Sequence, residues 1–114
     1  MQHITINLPE ITDVTFTIEC LPEDSQVRGN AIDSGNSDFD KSVEDKILYE
    51  LENGNDWYWC VAKVTAEWRG IKGDTYLGGC SYESEEQFKQ DLYYENMRRE
   101  AYNELINNLK SLAE

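Results

Sequence analysis

Apolar and polar residues alternate along the start of the chain. Ile4, Ile6 and Leu8 are separated by Thr5 and Asn7, a two-residue period that predicts a strand ending at Pro9 and Glu10. Val14, Phe16, Ile18 and Cys20 alternate with Asp13, Thr15, Thr17 and Glu19, the pattern of a strand with one face buried and one wet. A hairpin through residues 9–12 is expected to join the two. Residues 21–38 lose the pattern and are rich in Gly, Pro, Asn, Ser and Asp, which predicts a loop of a length that is usually functional or mobile. Phe39, Val43, Ile47 and Leu51 then recur every four residues with Leu48 beside them, a helical stripe. Ser37 or Asp38 is the expected cap, and Asn53-Gly54 the expected end.

Alternation returns over residues 57–69. Tyr58, Cys60, Ala62, Val64, Ala66 and Trp68 form one continuous apolar face, while Trp57, Trp59 and Val61 keep the other face apolar at first. That reads as a central strand, covered on both sides in its first half. Residues 70–74 read as a turn and 75–82 as a returning strand, with Gly78-Gly79 marking a bulge or a close contact. Ser84 and Gln87 have capping-box spacing. The stripe Phe88, Leu92, Tyr93, Met97, Ala101, Leu105, Leu109 and Leu112 slips by one position near Tyr93-Tyr94, predicting a break and then a long terminal helix. The order β-β-α-β-β-α predicts a single α+β domain over residues 1–114: an antiparallel sheet of about four strands with two helices on one face.

Composition narrows the class. At 114 residues the chain is long enough for one real core, and three Trp and seven Tyr separate it from an acidic disordered tail. No run approaches the roughly 18 apolar residues of a membrane span. Met1-Gln2-His3-Ile4 lacks the basic-then-apolar pattern of a signal peptide. Cys20, Cys60 and Cys80 show no C-x-x-C spacing and read as buried thiols of a reducing cytoplasm.

Charge changes the picture more. The 23 acids and 10 bases give a formal net of −13. Residues 10–56 hold 13 acids and 3 bases, residues 57–82 hold 2 and 3, and residues 83–114 hold 8 and 4. Solubility needs less than this, and the excess works against compaction.

Known chemistry is hard to place on these residues. The one histidine, His3, lies at the chain start. The cysteines lack zinc-site spacing, and the glycines fit neither phosphate-binding pattern. Asp33, Asp38 and Asp40 around Gly35 miss the calcium-loop frame and read as a solvated turn and helix cap. A small hydrolase would need carboxylates converging in a pocket. Neither an enzyme, a metal site nor a cofactor is expected. Direct DNA or RNA binding is not expected either, because Lys and Arg are scattered in an acidic field.

The inverse is the leading expectation: an acidic domain that occupies the basic groove of a protein that handles nucleic acid. The candidate contact residues are Asp38, Asp40, Glu44, Asp45, Glu52 and Asp56 on and beside the first helix, and Glu85, Glu86, Asp91 and Glu95 at the start of the last helical region. Trp57 and Trp59 would supply short-range affinity. The alternative is a self-associating accessory domain, dimerising through the aromatic patch, whose acidity serves solubility only.

Val27-Arg28-Gly29-Asn30-Ala31 with Ser34-Gly35, then Gly54-Asn55-Asp56-Trp57-Tyr58-Trp59-Cys60, then Leu77-Gly78-Gly79-Cys80-Ser81-Tyr82 resemble a family of small acidic phage and prophage proteins. The resemblance spans roughly residues 26–110. It implies an accessory protein of a bacterial virus acting in the host cytoplasm, and it carries over no catalytic residue. Small acidic phage proteins include anti-restriction and anti-CRISPR inhibitors, some of which mimic DNA. By that analogy, a CRISPR effector or a restriction nuclease is the expected partner. Arg28 is expected to be buried against a carboxylate.

Overall fold

The computed structural model describes residues 7–113. A 3-10 turn, Ile11–Asp13, leads into β1 (Thr15–Leu21), followed by α1 (Ser37–Glu52) and a second 3-10 turn, Asp56–Tyr58. Then come β2 (Cys60–Trp68), β3 (Ile71–Cys80), α2 (Glu85–Lys89) and α3 (Leu92–Ala113). The fold is α+β, with a three-stranded antiparallel sheet in the order β1-β2-β3. Of the strand expected at residues 4–8, Ile4–Ile6 lie outside the described residues, and Asn7 and Leu8 are not in a strand. The first arm of the hairpin expected through residues 9–12 therefore lies largely outside the described residues, and the stretch Ile11–Asp13 makes a 3-10 turn.

The chain divides into two compact units. The first comprises the stretch ending at Glu19, then Lys63–Tyr76, then the chain from Leu92 on. Here Phe16 and Ile18 of β1 are half-buried while Thr15, Thr17 and Glu19 are exposed, as the alternation predicts. Val64 and Ala66 of β2 are fully buried. Arg69 and Gly70, both with positive φ, make the two-residue hairpin turn, so β3 begins at Ile71, four residues earlier than its sequence pattern suggests. Met97, Ala101, Leu105 and Leu109 form the buried stripe of α3. A side chain such as Leu105, fully buried, contributes roughly 1.5–3 kcal/mol. Gly73 lets β3 touch this helix: a Cβ there would fall 2.3 Å from the Leu105 amide nitrogen and 2.4 Å from the Ala101 carbonyl oxygen. Asn108 Nδ2 donates to the Lys72 carbonyl at 2.7 Å, and Thr75 Oγ1 donates to Glu100 at 2.9 Å.

The second unit comprises Cys20–Ala62 and Leu77–Asp91. Val27, Ile47 and Trp59 form its buried centre, with Ala31, Val43, Leu48, Leu51 and Tyr58 packed around them. The α1 cap is Asn36, one residue before the expected pair: its Oδ1 accepts from the Phe39 amide at 3.1 Å. Phe39 is exposed and leaves the stripe. Trp57 and Tyr58 sit in a 3-10 turn and not in the strand. Trp57, Tyr82 and Phe88 pack together, with Phe88 5.2 Å from each of the other two ring centroids. Ser84 caps α2 by accepting from the Gln87 amide at 3.2 Å. The break between α2 and α3 falls at Gln90-Asp91, a little before the stripe slips.

Candidate functional site

Eleven of the twelve candidate residues lie in the second unit; Glu95 lies in the first. Read from the sequence, the second unit carries 14 acids and 4 bases, a net of −10, and the first carries 9 and 6, a net of −3.

The acids of α1 take three different roles. Glu44 is buried and accepts from Arg28 Nη1 at 3.2 Å and from the Gly29 amide at 2.8 Å. Asp45 takes the other side of the same guanidinium. Gripped first by Asp45 and then by Glu44, Arg28 is held further above its ordinary pKa. Arg28 itself stays 47% exposed, so it is a surface clamp on the 22–36 loop and not the buried arginine expected. Asp40 fastens the same loop by accepting from the Ser34 amide at 3.2 Å and from its hydroxyl. Asp38 and Glu52 are exposed and make no ion pair among the described residues.

Asp56, at the start of its 3-10 turn, is exposed and likewise makes no ion pair among the described residues. So do Asp24, Asp33 and Glu83, which the sequence reading did not single out. For Asp33 and Glu83 the signal was present in the sequence, since neither has a cation three or four residues away; Asp24 has Arg28 four residues on, but that guanidinium pairs with Glu44 and Asp45 instead. Glu85 and Glu86 share Lys89, at 3.7 and 3.6 Å. Asp91 accepts from the Tyr82 hydroxyl at 2.9 Å beside an open groove lined by Ser81, Gln87 and Gln90. Glu95 pairs with Arg98 at 3.1 Å and lies 3.9 Å from Arg99.

Both tryptophans are committed to packing. Trp57 is half-buried against Phe88 and Tyr82, and Trp59 is buried, its indole N–H donating to the Ser25 carbonyl at 2.6 Å. The exposed aromatics of α1 are Phe39 and Tyr49, at 52% and 61%.

Helix electrostatics sharpen the contrast. Asp38 and Asp40 lie in the first turn of α1, where the macrodipole favours anions, but Glu52 ends a last turn that holds no basic residue. That carboxylate costs the helix stability, and Lys46, 3.1 Å from Glu50, offsets one neighbour only.

The segments 27–35, 54–60 and 77–82 meet in this unit. The Tyr82 amide donates to the Trp57 carbonyl at 2.7 Å, Val27 packs with Trp59, and Gly79 lies under the Trp59 ring. Among the described residues no group of three or more His, Cys, Asp or Glu is disposed to hold a metal ion, and no helix is long and apolar enough to cross a membrane. No family model, curated protein or solved structure matches the chain.

Proposed function

We propose that the protein is an acidic binding module that engages a basic, nucleic-acid-handling protein of a bacterial host and blocks its DNA or RNA site. One observation carries the reading: the second unit holds a net charge of −10, with Asp24, Asp33, Asp38, Glu52, Asp56 and Glu83 exposed and free of ion pairs among the described residues. Carboxylates held on a helix and on tethered turns present fixed negative charge at little reorganisation cost, which suits a groove built for phosphates. Phe39 and Tyr49, exposed beside them, offer the short-range contact. Glu44 and Asp45 support this surface from behind by fixing the loop through Arg28. On this reading the protein works in the host cytoplasm as a phage-type inhibitor, of the anti-restriction or anti-CRISPR kind, and catalyses no reaction.

The test is capture of a partner from bacterial lysate by the wild-type chain and by the D33K/D38K/E52K variant, which spares the Arg28 clamp. Capture of a nucleic-acid-binding protein that weakens with salt and fails with the variant supports the reading; equal capture by both refutes it.

A second reading is favoured by a different observation. Leu92, Leu112 and Tyr76 of the less charged first unit are 82%, 63% and 57% exposed. Self-association through that unit would cover them. A dimer that persists at high salt and captures nothing favours this reading.

A further inference from the structure

The second unit contains a cavity of about 180 Å³ lined by Cys20, Leu21, Pro22, Asp56, Trp59 and Cys60. Leu21, Pro22 and the indole make its walls apolar, and Asp56 supplies its single charged side chain. Little here needs to move to receive a ligand. The Asp56 carbonyl accepts from the Trp59 amide at 3.3 Å, tying the turn to the indole's own backbone. The indole is pinned by its bond to Ser25, and a Cβ on Gly79 would lie 3.6 Å from its ring edge. Burial pushes the Cys20 and Cys60 thiols above their ordinary pKa. The thiols are therefore neutral and do not compete with Asp56 for a cation.

We propose that this cavity receives one lysine side chain of the cationic partner, its methylenes against Leu21, Pro22 and Trp59 and its ammonium at Asp56. The proposal rests on the anionic-surface reading and gives that surface a specific subsite. An aliphatic stem with a cationic tip matches an apolar cleft with one carboxylate. Arginine fits less well, because its five N–H donors would meet one carboxylate and then apolar walls and thiols.

The test is a two-dimensional NMR titration of the intact protein with N-acetyl-lysine N-methylamide, its Nε-acetylated form, and the norleucine and arginine equivalents. The lysine probe is expected to shift the Trp59 indole N–H and the Leu21 and Cys60 amides saturably. The two uncharged probes shift them far less. D56N, an isosteric change at an exposed site, weakens the lysine titration about tenfold, the worth of a charge-assisted hydrogen bond. E104Q, a change of the same kind on α3, leaves it unaltered. Equal response to norleucine, equal affinity in D56N, or arginine binding as tightly as lysine overturns the assignment. If D33K/D38K/E52K loses the partner while the lysine probe leaves these signals still, the cavity proposal fails and the surface reading stands. The reverse pair of results removes the surface reading alone.

Discussion

The two units solve the problem of holding a fold together in different ways. In the first, strand and helix backbones approach so closely that Gly73 has no room for a side chain, and α3 buries four apolar residues at four-residue spacing. Its charge, −3, is ordinary. The second buries Val27, Ile47, Trp59 and Phe88, and its loop is fastened by polar clamps: Arg28 to Glu44 and Asp45, Ser34 to Asp40, Gly79 to Glu23. It bears −10. Like charges at that density repel one another, so a unit selected only for stability would not carry them. The contrast teaches that acidity here is concentrated in the unit whose long loop is held by polar clamps, some of them made by those same acids.

Substituting glycines separates the two modes most sharply. Gly73→Ala drives a methyl into the α3 backbone and is expected to cost about 3 kcal/mol in urea unfolding. Gly78→Ala meets only the Glu23 carboxylate, at 3.2 Å, which can swing aside, and should cost under about 1 kcal/mol. Equal costs would erase the distinction.

Next in size is the clamp. Glu44→Ala strands the Gly29 amide and half of Arg28, an expected loss of about 2 kcal/mol. Asp45→Ala removes a partner that is 52% exposed and should cost no more than about 1 kcal/mol. A smaller effect is expected from screening: added salt should slow hydrogen exchange of the α1 amides more than those of α3. The smallest is the Glu23 contribution. The Gly79 and then the Ser25 N–H groups hold its carboxyl below the usual carboxylate value. A folded value below the unfolded one adds stability that is present above the ordinary carboxylate range and is lost as pH falls through the folded value. Glu23→Gln should therefore flatten the acid limb of the stability–pH curve and leave its neutral region nearly level.

Local features were legible in the sequence. The alternation of Phe16, Ile18 and Cys20, the α1 stripe with its Asn53-Gly54 end, the Ser84 cap and the central place of β2 all follow from neighbours a few residues apart. What escaped depends on distant parts of the chain. Nothing near Gly73 announces that Ala101 and Leu105 will press on it, and Glu44 looked like one more acid on a solvated helix face until Arg28, 16 residues away, met it. Phe39 fits the helical period but lies in the first turn, beyond the reach of Val27 and Trp59, and stays exposed. Trp57 and Trp59 alternate like strand residues, yet the Asp56–Tyr58 turn and its cap take both of them out of β2, which begins at Cys60. The charge of the candidate surface was visible in the sequence; which acids remain unpaired was visible only for those such as Asp33 and Glu83 with no cation nearby in the chain, because pairing elsewhere depends on loop conformation.

The central claim is that the unpaired carboxylates of the second unit stand in for phosphates, and competition tests it most directly. With the captured partner immobilised on the protein, duplex DNA or RNA is added at increasing concentration. The account predicts that nucleic acid displaces the partner, and that D33K/D38K/E52K never engages it. A stable ternary complex of protein, partner and nucleic acid would contradict it.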